Sequence, residues 1–251
     1  MEYFSILWSA EGIFYLIVLS LLEIVLGIDN IIFISIVTDR LPSVQKRKAR
    51  NLGLTLALIA RLILLSLVSL IMGMTKPLFE VFGNEFSGQS LVLLAGGLFL
   101  IYKSTIEMHG MIRGQEEQGK EGNRKSFGAI IGQIVMIDIV FSFDSIITAI
   151  GMTNEIGHGD PNNHPMVIIF AAVIISMIVM MIFARPISDF INARPTIKMI
   201  ALAFLVTIGV ILVAESFGQH VPKGYIYFAM VYALIVEFMN IRMRVNKKRK
   251  P

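Results

Sequence analysis

Seven apolar runs, each close to the thickness of a bilayer, constrain this chain more than any other feature. They lie at roughly 12–37, 52–74, 89–108, 128–151, 166–184, 197–217 and 224–241. A helix needs about 20 residues to cross the hydrocarbon core. Only 16% of the residues are charged, against about 25% in a typical soluble domain. The expected fold is an all-α polytopic membrane protein with seven transmembrane helices. The first and fourth runs are long, which predicts tilt, a break, or extension beyond the lipid.

The residue types exclude several chemistries. The chain has no cysteine, which removes disulfides, thiolate metal sites and thiol catalysis together. His109, His158, His164 and His220 fall at the ends of runs or between them, which excludes a histidine zinc cage inside the membrane. The first residues, MEYFSILWSAEG, hold Glu2 and Glu11 but no Lys or Arg, whereas a signal peptide starts with basic residues.

Charge between the runs predicts the topology. Arg40, Lys46, Arg47, Lys48 and Arg50 follow the first run, and Arg113, Lys120, Arg124 and Lys125 follow the third. Arg185, Arg194 and Lys198 follow the fifth, and Arg242, Arg244, Lys247, Lys248, Arg249 and Lys250 follow the seventh. The alternate connections hold only Lys76 and Lys223. Cytoplasmic loops collect Lys and Arg, so the N-terminus is expected outside and the C-terminus in the cytoplasm. The net charge of +4 is then an orientation signal facing lipid, and no nucleic-acid partner is expected.

The chain also repeats itself. EIVLGIDNII (23–32) aligns without a gap on DIVFSFDSII (138–147), pairing Glu23 with Asp138, Asp29 with Asp144 and Asn30 with Ser145. KPLFEVF (76–82) echoes RPISDFI (185–191), and Glu107 with Gly110 echoes Glu215 with Gly218. Three helices separate the copies, so they are expected to be inverted, as in many secondary transporters. The expected layout is a single transmembrane domain over 1–251. Within it lie repeat one at about 12–109, a cytoplasmic linker at about 110–127, repeat two at about 128–218, a seventh helix at about 224–241 and a basic tail at 242–251.

Four acids inside apolar runs demand partners, because one at a helix centre costs about 2.5–3.5 kcal/mol on insertion scales. Glu23, Gly27 and Asn30 share one helical face, as do Asp138, Ser142 and Ser145. On a continuous helix Glu23 and Asp29 stand about 9 Å apart along the axis. They converge on one ion only if the helix breaks, for which Gly27 is the natural place, or they act at successive stations. Carboxylates, an amide and hydroxyls are hard donors that suit Mg, Ca and Mn. The candidate metal ligands are therefore Glu23, Asp29, Asn30, Asp138, Asp144 and Ser145. Arg61 and Lys103 are the interior cations. Arg61 reads either as a structural counter-ion or as a switch that changes partners, and Lys103 is spaced for a local pair with Glu107. Glu107, Glu215 and Glu237 sit near helix ends and read as interfacial groups or as lining of an ion path.

EIVLGIDNIIFISI followed by a basic loop, with DIVFSFDSIITAIG in the second copy, resembles the TerC family of membrane proteins over about residues 5–245. The resemblance implies divalent-cation transport, chiefly manganese export, and a name derived from tellurite resistance. It also implies residence in the bacterial cytoplasmic membrane and a link to supplying metal to secreted enzymes. Mn²⁺ is expected as substrate, with membrane lipids as surroundings and no prosthetic group; secretion or metalation partners are a weaker expectation, and the oligomeric state is open. No GxxxxGK[ST] loop is present, which argues against a primary pump, so alternating access coupled to protons is the expected mechanism. A membrane scaffold in a stress-response or secretion complex is the alternative. An intramembrane aspartyl protease fits less well, because the aspartates sit in GID and SFD rather than GxGD. No enzyme activity is expected.

Overall fold

A computed structural model describes residues 8–39, 41–81, 84–113, 127–153, 165–219 and 221–249. In chain order the elements are α1 (Ala10–Asp39), α2 (Ser43–Ser66), α3 (Val68–Gly73), β1 (Pro77–Val81), β2 (Asn84–Ser87), α4 (Gly88–Ile112), α5 (Phe127–Thr153), α6 (Pro165–Asn192), α7 (Pro195–Ser216) and α8 (Lys223–Arg249). Among the described residues seven helices are long and apolar enough to cross a membrane: α1, α2, α4, α5, α6, α7 and α8. The expected seven-helix class is the one found.

The helix ends depart from the hydropathy reading at several places. The second run starts late as a hydrophobic signal, yet α2 already begins at Ser43, so Lys46, Arg47, Lys48 and Arg50 lie on its first turns rather than in a loop. Lys, Arg, Gln and Ala are good helix formers, and hydropathy does not register them. The same run then divides at Leu67, whose ψ of 27° leaves the helical range, and α3 follows. The fifth run was expected to stop at 184, before Pro186; instead α6 continues through Pro186 to Asn192. The basic tail expected after 241 is helical as far as Arg249.

One feature of the expected outer connection was not foreseen. β1 and β2 form an antiparallel hairpin in which Phe79 opposes Phe86. Their rings stack at 5.6 Å, and Phe86 also meets Phe217, just past the end of α7, at 5.3 Å. The hairpin thus pins the start of α4 to the end of α7. Ser87 closes the join by accepting a hydrogen bond from the Ser90 N–H at 3.1 Å, an ordinary N-cap.

The bundle is built from pairs that cross between the two halves of the chain. α4 packs on α7, α1 on α6, and α2 on α5, while α1 and α5 also touch and α8 lies against α7. Side-chain contacts give the directions. Gly27 meets Met180 and Ser35 meets Ser188, so α1 and α6 run the same way. Gly53 meets Ile134 and Arg61 meets Asp138, so α2 and α5 also run parallel. α4 and α7 are antiparallel: a Cβ on Gly97 would meet the Gly209 carbonyl at 2.6 Å and Val213 Cγ2 at 2.9 Å, and one on Gly209 would meet the Gly97 carbonyl and Ile101 Cγ1, both at 2.8 Å. Small residues at such crossings let backbones approach closely in lipid, where packing rather than water drives association. Large apolar side chains on α8, including Phe228, Tyr232, Ile235 and Phe238, are exposed, as a lipid-facing helix requires.

Candidate cation site

Among the described side chains, Glu23 and Asp138 share one partner. Arg61 on α2 donates to Glu23 Oε2 on α1 and, through its other terminal nitrogen, to Asp138 Oδ1 on α5 at 3.0 Å. Asn30, two turns further along α1, donates its Nδ2 to the same Asp138 oxygen at 3.0 Å. All four side chains are buried, none more than 4% exposed. On α5, the Ser142 hydroxyl bonds the Asp138 main-chain carbonyl at 2.6 Å and lies 3.3 Å from Asp138 Oδ2.

Charged groups this deep persist only when paired and hydrogen-bonded. One guanidinium serves two carboxylates because its planar fork presents separate donors to each. The pairing is incomplete: Asn30 Oδ1 and Arg61 Nε are buried without a hydrogen-bond partner. An acceptor oxygen and a donor nitrogen thus remain unused beside the cluster, and such groups are uncommon in buried networks.

Asp29 points elsewhere. It accepts a hydrogen bond from the Tyr227 hydroxyl of α8 at 3.3 Å and borders a cavity of about 30 Å³ lined by Leu26, Phe141, Ile208, Leu212 and Tyr227. That space holds about one water. The four acids therefore do not all meet on one point: Glu23 and Asp138 converge through Arg61, and Asp29 faces α7 and α8. The backbone of Asp144 belongs to α5, but its side chain lies outside the described residues. Ser145 turns back on its own helix and donates to the Ser142 carbonyl at 3.4 Å. Among the described residues no three His, Cys, Asp or Glu side chains are grouped as a metal site would need.

Gly27 requires a correction. It was expected to break the first helix, but α1 is one unbroken helix from Ala10 to Asp39. The missing side chain has a packing use instead, since a Cβ there would lie 2.1 Å from Met180 Sδ. With α1 unbroken, Glu23 and Asp29 keep their separation along the axis and do not converge on one point.

The remaining candidates occupy separate places. Lys103 and Glu107 form a buried pair at 2.5 Å within α4. Glu215 is half-buried in the last turn of α7. Glu237 on α8 accepts from Asn240 at 3.3 Å. Sequence reasoning missed two polar residues that the fold uses. Tyr227 carries no periodic signal within the aromatic stretch GYIYF, so nothing marked it as the partner of Asp29. Lys198 was assigned to a loop, but it is buried in the first turn of α7 and bonds Asp39 Oδ2 at 3.0 Å, while Lys46 bonds Oδ1 at 2.5 Å. This three-residue bridge ties α1, α2 and α7 together at the end expected to face the cytoplasm.

Comparison with known proteins bears directly on this arrangement. The family described as "Integral membrane protein TerC family" matches residues 8–251. The chain belongs to the TerC family. A UPF0053 protein of Haemophilus influenzae is 49% identical to this TerC-family chain over 240 residues, covering 94% of it and 97% of the relative. The UPF0053 inner membrane protein YgdQ of Escherichia coli K12 is 47% identical over 244 residues, covering 97% and 95%. The UPF0053 inner membrane protein YoaE of the same strain is 46% identical over 232 residues, which are 92% of this chain but 43% of YoaE. No solved structure matches. The names of the Escherichia coli relatives agree with seven membrane-length helices, and this TerC-family protein is read as an integral membrane protein.

Proposed function

We propose that this protein is a secondary transporter that exports divalent metal ions, Mn²⁺ foremost, by alternating access between two inverted halves. The observation that carries the reading is the shared guanidinium: Glu23 and Asp138, at matching positions of the two repeats, hold one positive charge between them. A site of two carboxylates from different halves changes its geometry whenever the halves move relative to each other. That is the requirement for binding on one side and release on the other. The packing supports the inversion. Exchanging the halves turns the α1–α6 contact into α5–α2 and leaves α4–α7 in place, and both lateral pairs are parallel while α4–α7 is antiparallel.

In this reading Arg61 stands in the cation's place when the site is empty of cargo. An incoming Mn²⁺ displaces the guanidinium from Glu23 and Asp138 and gains Asn30 Oδ1, the buried oxygen left without a donor. Hard oxygen ligands suit Mn²⁺. Asp29 forms a second station beside Tyr227, and Asp144 is its counterpart in the second repeat. Protons are the coupling ions that carboxylates accept directly. The charge pattern of the connections supports an N-terminus outside and a C-terminus in the cytoplasm, and secretion or metalation partners would receive the exported ion.

Flux measurement in proteoliposomes tests this. Purified protein is expected to move Mn²⁺ with a pH gradient, and Asp29→Asn or Asp144→Asn is expected to abolish flux while the protein still elutes as a folded species. A scaffold would tolerate both changes. Full flux in either variant would remove that residue from the site.

A further inference from the structure

We infer that the Met180 thioether of α6 is a specificity-determining ligand of the cation site, favouring softer d-block divalent ions over Ca²⁺ and Mg²⁺; the inference rests on the transport reading above and deepens it. Its basis is the level at which the sulfur lies. Gly27 stands between Glu23 and Asn30 on one face of α1, with Glu23 about 6 Å to one side along the axis and Asn30 about 4.5 Å to the other. Arg61 reaches Glu23, and both Arg61 and Asn30 donate to the single oxygen Asp138 Oδ1. The charge therefore sits between the levels of Glu23 and Asn30, which is the level of Gly27. Met180 Sδ fills the space a Gly27 side chain would take, at 2.1 Å from the Cβ position. The sulfur thus lies against the face of α1 that carries Glu23 and Asn30, at the level between them.

Met180 is 1% exposed, and Asn30 Oδ1, equally sheltered, lacks a donor. A cation replacing the guanidinium would meet two carboxylates, one amide oxygen and one sulfur. Ca²⁺ and Mg²⁺ take oxygen ligands almost alone, and a thioether at that position withholds one from them. Mn²⁺ tolerates the sulfur, and a softer ion such as Cd²⁺ gains from it. An adjacent sulfur could also be packing alone, since Met commonly fills gaps beside Gly; the two roles differ in what a sulfur-free side chain does.

The test compares Cd²⁺, Mn²⁺ and Ca²⁺ flux in proteoliposomes carrying the full chain, as wild type, Met180→Leu and Gly27→Ala. Leu keeps apolar volume but removes the sulfur, and Ala at position 27 leaves the sulfur in the chain but forces it away. Both variants are expected to lose preference for Cd²⁺ over Ca²⁺ by about tenfold, read as the ratio of the two fluxes within each variant. An unchanged Cd²⁺ to Ca²⁺ ratio in both variants overturns the assignment and leaves the transporter reading standing. A uniform fall in all three fluxes, in protein that elutes as a single folded species, also overturns it, because it marks a packing role. Wild-type protein that moves none of the three ions removes the transporter reading and this inference with it.

Discussion

Replacing Arg61 with Gln leaves Glu23 and Asp138 facing each other in a site where both are almost wholly buried. An acid at a helix centre costs about 2.5–3.5 kcal/mol on insertion scales, so the two together place the loss near 5–7 kcal/mol. Breaking a buried pair by removing one member costs about 3–5 kcal/mol. Both routes point to about 5 kcal/mol, or a fall in melting temperature of about 10–20 °C for a chain of this size. Thermal melting followed by size-exclusion chromatography, with the protein held in chelator, measures it. The second half of the experiment adds metal. If the stranded carboxylates and Asn30 Oδ1 accept a divalent ion, Mn²⁺ at a hundred times its dissociation constant restores about 2.7 kcal/mol. Arg61→Gln should therefore melt far below wild type in chelator and recover roughly half the loss with Mn²⁺. The neutral triple variant Glu23→Gln, Arg61→Gln, Asp138→Asn should melt close to wild type and ignore the metal, because removing every charge leaves nothing stranded. An Arg61→Gln protein that melts with wild type, or that is as unstable with Mn²⁺ as without it, refutes the reasoning.

Two further outcomes follow from packing and pairing elsewhere. Gly97→Ala places a methyl group 2.6 Å from the Gly209 carbonyl, so α4 and α7 must separate; a loss of about 1–3 kcal/mol is expected in the same melting assay, and an unchanged midpoint would mean that the crossing is loose. Glu107→Gln leaves Lys103 buried without its carboxylate and should cost about 3–5 kcal/mol, most of which Lys103→Met in the same chain should return.

How much of this was legible beforehand differs from residue to residue. The runs that became α1, α4, α5 and α7 were readable because a bilayer asks for length and hydropathy together, and both are local properties. Hydropathy failed at α2, where Lys46 to Arg50 wind into the helix, and at Pro186, which α6 absorbs. At α2 the helix preference of Lys, Arg, Gln and Ala outweighed their polarity, whereas α6 runs on past Pro186 against that residue's own backbone preference. The hairpin at Pro77–Ser87 was hidden because its rings find their partner, Phe217, far along the chain.

The acids show the same division. Sequence alone determined that Glu23, Asp29, Asp138 and Asp144 lie in membrane-spanning segments and need partners, since the penalty for an ion in hydrocarbon depends only on where the segment sits. The matched spacing of EIVLGIDNII and DIVFSFDSII is likewise visible without coordinates. Which partner each acid takes was decided by tertiary structure. Arg61 joins Glu23 to Asp138 because α2 packs beside both α1 and α5, and Tyr227 claims Asp29 because α8 brings its hydroxyl within reach. Gly27 proved to be a seat for Met180 rather than a hinge. Such contacts depend on helix rotation and crossing, which a one-dimensional pattern of polarity does not encode.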